Sequence, residues 1–203
     1  MKHNSKKFRD GMFLAPSRTM GETFMEPIIR KFRGLNSSPT GENDASNDAG
    51  EFSEIKCARV LKRLPKKKTS LAEKVMSVSE NNVLSRLIPF GDCYDSKYGS
   101  NIQNVKRDHF SKLVYVMLFE DCIKIFEMKR EDISSITNWC PLHGRYDEPG
   151  KSGQFNITKN KIKEHLENNL IDTLTWNEVY EIAKVLLSND NKKHNNTKQN
   201  KTK

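Results

Sequence analysis

The sequence lacks the features that would place the chain in a membrane or in an oxidising compartment. No stretch approaches the ~18 apolar residues of a membrane-spanning helix, and no apolar segment follows the charged N-terminus as in a secretory signal. The four cysteines, Cys57, Cys93, Cys122 and Cys140, are far apart and form no C-x-x-C pair. These absences predict a soluble protein that stays reduced in the cytoplasm.

The sequence also contains no internal repeat and no complete zinc-ligand pattern. Cys140 and His143 have the spacing of half a zinc site. Because the second half is missing, a zinc site is the less favoured interpretation of this segment.

Positive charge is in excess, with a net charge of +9 over 203 residues. A polyanionic partner is the simplest explanation, although a basic pI also arises where lysine is over-used. Five basic residues cluster mid-chain, and they are either phosphate contacts for DNA or a solvated charge run: Lys62, Arg63, Lys66, Lys67 and Lys68.

The length fits one α/β domain. We expect a flexible N-terminal segment over residues 1–18, a single domain over residues 19–188 and a disordered basic tail over residues 189–203.

Local patterns predict the elements of this domain. Thr19 and Glu22 form a capping-box pattern that opens a helix, and Gly34 offers its C-cap. The turn-forming residues 36–43 predict a loop, and residues 51–61 a strand. Further along, the expected elements are a weak helix over 71–87, a loop over 91–100, buried strands over 113–119 and 122–126, a short strand over 154–157, a helix with Ile162, Leu166 and Leu170 on one face, and a last helix opened by a Thr175/Glu178 capping box.

One hairpin carries the residues that point to chemistry. Glu54 and Lys56 are two apart in a strand and therefore project from the same face. If residues 48–50 form a three-residue loop with Gly50 in the left-handed conformation, Asp44 lies opposite Glu54, with Cβ atoms about 5 Å apart. Two facing carboxylates repel each other, and a bound divalent cation usually offsets this repulsion. Lys56 supplies a further positive charge beside them. Asp48 competes for the acidic role, but this register leaves it at the turn.

Asp44, nine intervening residues and Glu54-Ile55-Lys56 together resemble the bipartite motif of the PD-(D/E)XK nucleases, which include the type II restriction endonucleases. The sequence departs from that pattern at Asn43, where proline usually stands. The resemblance implies an αβββαβ core around a central mixed β-sheet flanked by helices. It also implies Mg²⁺-dependent hydrolysis and a further acidic ligand from the preceding helix, either Glu22 or Glu26.

Polar residues elsewhere supply candidates for DNA recognition. The segment 138–154 contains His143, Arg145 and Gln154, types that read base edges in the major groove, although a plain surface loop is nearly as good an interpretation. Gln103 and Lys106 precede the apolar strand and could border the site, as could His109, although a lone histidine is more often structural.

The expected function is therefore a Mg²⁺-dependent endonuclease that acts on double-stranded DNA, with a type II restriction role favoured by the resemblance. That role implies a homodimer and a cognate DNA methyltransferase as partners. Two alternatives stay open: a structure-specific repair or recombination nuclease, and a non-enzymatic basic nucleic-acid-binding protein.

Overall fold

A computed structural model of the chain describes residues 3–39, 43–64, 70–141 and 152–186. Its helices are α1 (His3–Leu14), a π-helix (Thr19–Met25) that runs into α2 (Glu26–Arg33), α3 (Leu71–Glu80), α4 (Ile133–Ile136), α5 (Ile162–Asn168) and α6 (residues 176–186). Its strands are β1 (Asn36–Ser37), β2 (Ala45–Ser46), β3 (Phe52–Arg59), β4 (Leu61–Lys62), β5 (Tyr98–Val105), β6 (Lys112–Leu118), β7 (Cys122–Lys129), β8 (Gly153–Ile157) and β9 (Leu170–Thr175).

The central sheet has six strands in the order β1-β2-β3-β6-β7-β9. β3 and β6 run parallel, whereas the other neighbouring pairs are antiparallel. A parallel pair needs a long crossover, and here residues 60–111 supply it. The protein is therefore α/β with a mixed central sheet flanked by helices.

Strand β6 is buried on both faces, as its continuous apolar run predicts. One face contributes Leu113, Tyr115 and Met117 to a core shared with β5, β8 and α5. The opposite face, with Val114 and Val116, packs in a second core with α1, α2 and α6. The adjacent pairing of β6 with β7 is also as predicted.

A second sheet of three antiparallel strands has the order β4-β5-β8. Its inner face carries Ile102, Phe155 and Ile157, which are fully buried against the central sheet. The strand predicted at residues 154–157 thus exists, but it belongs to this second sheet.

The N-terminal residues differ from the prediction, because residues 3–14 form α1 instead of a flexible segment. Met12 and Phe13 are buried in the core. The Arg59 guanidinium donates hydrogen bonds to the carbonyls of Phe13 at 3.0 Å, in the last turn of the helix, and of Ala15 at 2.7 Å, just beyond it. The helix is short and mostly polar, so tertiary packing stabilises it more than its local sequence does.

The helical stretch that follows begins differently from the prediction. Residues 19–25 are π-helical, and no side-chain cap opens them. Glu22, assigned by its sequence pattern to a capping box with Thr19, instead accepts a hydrogen bond from Arg18 Nε at 2.7 Å. Gly34 does end α2 in the left-handed conformation, with a φ of 64°.

Three segments differ from the prediction, and each contains the start or the whole of a strand. The predicted loop 36–43 contains β1, and the predicted loop 91–100 gives way to β5 at Tyr98. Leu170 starts β9, which pairs with β7, instead of extending the preceding helix. The Thr175/Glu178 capping box is confirmed: each residue's backbone N–H donates to the other's side chain, at 2.7 and 3.3 Å. Within the described ranges, no helix has the length and apolar character to span a membrane.

Candidate active site

The hairpin of β2 and β3 has the register that the sequence predicts. Ala45 pairs with Ser53, which places Asp44 directly opposite Glu54. Gly50 ends the turn with a φ of 77°, a conformation that glycine adopts without steric cost. The three-residue turn and the pairing across it are therefore confirmed.

Lys56 joins the two carboxylates. Its Nζ lies 3.1 Å from Asp44 Oδ2 and 2.5 Å from Glu54 Oε1. The structure thus brings together the three residues that the sequence marked as catalytic candidates. The competing Asp48 is exposed at the turn, where its carboxylate accepts a hydrogen bond from Asn36 at 3.0 Å.

Burial and charge set the protonation of this cluster. Glu54 is 2% exposed, and burial raises the pKa of its carboxyl; Lys56 opposes that rise, and the Asp44 carboxylate adds to it. Burial alone would lower the pKa of Lys56, but Glu54 and Asp44 outweigh burial and raise the pKa. Lys56 is therefore a cation at neutral pH, suited to orienting water and stabilising negative charge.

The two acidic residues from the preceding helix have different surroundings. Burial first, and then the Asp44 carboxylate, raise the pKa of Glu26 to about 7, against the opposing charge of Arg30 at 3.7 Å. Glu22 is exposed and pairs with Arg18 at 2.7 Å. Of these two residues, Glu26 is therefore the better candidate for a further acidic ligand, because the charges of Asp44, Lys56 and Glu54 act on its carboxyl.

The donors of this cluster suit a hard divalent cation. Asp44 and Glu54 each direct one oxygen to Lys56, and a carboxylate has a second oxygen for a metal ion. Burial raises the pKa of the nearby Cys57 thiol to about 12, which leaves it neutral and a poor metal ligand. Among the described residues, no three His, Cys, Asp or Glu side chains already form a metal cluster. Mg²⁺ is compatible with this, because it often takes one or two protein carboxylates and keeps several waters.

A groove of about 690 Å³ runs beside Lys56 along the edge of β3. The edge is open because β2 pairs only with the first two residues of β3. The walls of the groove are the π-helical region and β5, with the polar lining residues Arg18, Glu22, Asn101, Gln103, Asn104 and Lys106. Clefts of this size are typical of ligand sites.

The groove lining includes both predicted and missed residues. Gln103 and Lys106 do border the site, and the Lys106 ammonium lowers the pKa of Glu54. Asn104 was missed, and its φ of 56° is rare for a residue other than glycine. Its sequence neighbourhood gives no signal of this conformation, which arises from an irregularity in the β5–β8 pairing.

The residues predicted to bind DNA are only partly described. Lys62 is exposed on β4 and Arg63 follows it. Gln154, the last residue of the polar segment and the first of the predicted strand 154–157, lies on β8, where its Oε1 accepts a hydrogen bond from Asn101 Nδ2 at 2.8 Å. The other candidates, Lys66, Lys67, Lys68, His143 and Arg145, lie outside the described residues.

The site is a cluster of carboxylates around one lysine, at a sheet edge that opens onto a polar groove. In comparisons with known proteins, the sequence matches no family model and no curated protein.

Proposed function

We propose that this protein is a Mg²⁺-dependent endonuclease that hydrolyses phosphodiester bonds in double-stranded DNA. The observation that carries the proposal is the contact of Lys56 with both Asp44 and Glu54 across one hairpin. Carboxylates that converge beside a fixed cation are the parts that metal-assisted phosphodiester hydrolysis requires.

Each residue has a role that follows from its surroundings. Asp44 and Glu54 would hold the Mg²⁺ ion, and Glu26 would contribute through its position beside Asp44. When bound, the ion polarises the phosphodiester and lowers the pKa of a coordinated water. Lys56, kept protonated by its two carboxylate partners, orients the attacking water and offsets the charge that develops on the phosphate.

The charge of the protein supports DNA as the substrate. The net charge of +9 favours a polyanion, and Lys106 places positive charge on the wall of the groove beside the cluster. A mixed sheet with the hairpin at one edge and α2 before it also agrees with a restriction-endonuclease-like αβββαβ core. The proposal also includes four points that rest on the motif resemblance: that core, the type II restriction role, a homodimer and a cognate methyltransferase.

Plasmid cleavage tests the chemistry. The wild type should cut supercoiled plasmid with Mg²⁺ and not with EDTA, while Asp44→Asn, Glu54→Gln and Lys56→Met should each lose about 100-fold or more in rate. Asp48→Asn is the matched control, because it removes a carboxylate from the exposed turn of the same hairpin. Circular dichroism should show that all four variants are folded.

Two results would overturn the proposal. The first is a wild type that cuts no DNA over a broad substrate panel, and the second is three site variants that cut as fast as Asp48→Asn. Cleavage at a defined sequence supports the restriction role, whereas cleavage that follows DNA structure supports a repair or recombination nuclease.

A further inference from the structure

The exposed face of the ribbon formed by β5 and β8 consists of carboxamide side chains. Asn101 pairs with Asn156 across the ribbon, and residues directly opposite in a strand pair share a face. Gln154 lies on the same face, where its Oε1 accepts hydrogen bonds from Asn101 at 2.8 Å and Gln103 at 3.5 Å. The alternate residues point into the core.

This composition differs from that of an ordinary solvated face. Charged residues make up 30% of the chain, yet neither β5 nor β8 contains one. The chain has three glutamines, and two of them, Gln103 and Gln154, meet on this ribbon.

An irregularity in the pairing adds a fifth amide to the face. The β5–β8 register shifts between Ile102 and Val105, and both Gln103 and Asn104 are exposed there. Asn104 takes a φ of 56° at this point. Such bulges redirect side chains and are frequent beside functional sites.

The amide face is continuous with the candidate active site. Asn101, Gln103 and Asn104 line the same groove as Lys56, and Lys106 follows β5 close enough to Glu54 to lower the pKa of that carboxyl. A ligand held against the amides would therefore lie beside Lys56, which contacts both Asp44 and Glu54.

Amides at this position have a natural ligand in duplex DNA. Asn and Gln side chains form paired hydrogen bonds with N6 and N7 of adenine, and the major groove is wide enough for a two-stranded β-ribbon. β4 pairs only with Tyr98 and Gly99 of β5, and Cys140 pairs with Gln154 on the outer side of β8, so the end of the ribbon that carries Gln103 and Asn104 extends beyond β4. Neutral amides also add little to phosphate binding, which the basic residues of the chain can provide.

We infer that the β5–β8 ribbon enters the major groove of double-stranded DNA and reads adenine through Gln103, Gln154 and their neighbouring asparagines. The inference rests on the proposed function only in taking DNA as the substrate of the adjoining site. It adds to that function the element and the residues that select the sequence.

Binding without cleavage provides the test. Duplexes selected from a random pool by the full-length wild type in EDTA should share adenines at defined positions. Replacing such an adenine by 7-deazaadenine, which lacks the N7 acceptor, should weaken binding by about 5- to 100-fold. Gln103→Met and Gln154→Met, which keep the side-chain length but remove the amide, should abolish that sensitivity at one position each. Asn160→Ala, an exposed asparagine in the turn after β8, should retain it.

The outcomes separate this inference from the nuclease proposal. Two results would overturn adenine recognition by the β5–β8 ribbon even if the enzyme cuts DNA. The first is a wild type that selects no sequence, and the second is that Gln103→Met and Gln154→Met keep the full 7-deazaadenine effect. Selection through the two glutamines by a protein that cuts nothing would support the ribbon and reject the nuclease. Equal binding of duplex RNA of the same sequence would also overturn the inference, because side chains do not reach into its deep, narrow major groove.

Discussion

Replacing Glu26 by glutamine should change how the stability of the protein depends on pH. Glu26 has a pKa of about 7 in the folded protein, against an ordinary value of 4.5, because burial and the Asp44 carboxylate both disfavour its charged form. The substitution keeps the shape of the side chain and removes the charge. It therefore tests whether Glu26 is buried near the Asp44 carboxylate without any assumption about catalysis.

The direction in which stability changes with pH follows from how tightly the folded and the unfolded chain bind the Glu26 proton. Between pH 4.5 and about 7 the folded protein holds the Glu26 proton more tightly than the unfolded chain does, so this residue lowers the free energy of unfolding as pH rises. At about 1.4 kcal/mol per pH unit, the full interval corresponds to about 3 kcal/mol. The Glu26 side chain is 17% exposed, so we expect an effect of about 1–3 kcal/mol.

Urea denaturation in EDTA at pH values from 4 to 8.5 measures this effect. Glu26→Gln should be about as stable as the wild type at the acidic end and more stable above pH 7. Glu22→Gln is the matched control, because Glu22 is an exposed acidic residue one turn earlier that pairs with Arg18, and its removal should leave the pH dependence unchanged. At pH 8 and a Mg²⁺ concentration of a hundred times its Kd, the ion should raise the free energy of unfolding of the wild type by about 2.7 kcal/mol. Glu26→Gln should be stabilised less by the same Mg²⁺ concentration. The reasoning is refuted if Glu26→Gln and the wild type show the same pH dependence.

Three substitutions test the packing that positions the site. Gly50→Ala should cost about 1–2 kcal/mol and loosen the hairpin, because alanine disfavours a φ of 77°. Gly153→Ala should destabilise by about 1–3 kcal/mol, since its Cβ would lie 2.1 Å from the Trp139 ring. Arg59→Met should cost about 1–3 kcal/mol by leaving the carbonyls at the end of α1 without their donor, and should speed amide hydrogen exchange in that helix.

Gly91→Ala is the control for both glycine substitutions, because an added Cβ there meets no atom within 4 Å and the backbone is unstrained. Urea midpoints for Gly50→Ala and Gly153→Ala equal to that of Gly91→Ala would contradict the backbone and packing arguments. Unchanged exchange rates in residues 3–14 of Arg59→Met would show that α1 does not depend on this contact.

The candidate site could be predicted because its geometry is local. Asp44, Gly50 and Glu54 lie within eleven residues, so one turn conformation and the strand period decide which side chains face each other. Strands β6 and β7 could also be predicted, β6 from its unbroken apolar run and β7 from its partial alternation, since neither pattern needs a distant partner to be recognised.

Other features were decided by contacts between distant parts of the chain. α1 is held by Arg59, 44 and 46 residues from the two carbonyls it contacts, and β9 exists because it pairs with β7. The pKa of Glu26 depends on Asp44, which approaches it only when α2 packs beside the hairpin. Local propensity gives no information on such contacts.

The sequence by itself determined the hairpin with Asp44, Glu54 and Lys56 on it, because turn chemistry and side-chain alternation act over a few residues. Only the tertiary structure decided that Glu26 is partly buried under the influence of Asp44 whereas Glu22 is exposed and paired with Arg18, that β5 and β8 form a second sheet, and that its amide face borders the same groove. Those arrangements depend on burial and on pairing between distant segments, such as Asn101 and Gln154, which are 53 residues apart.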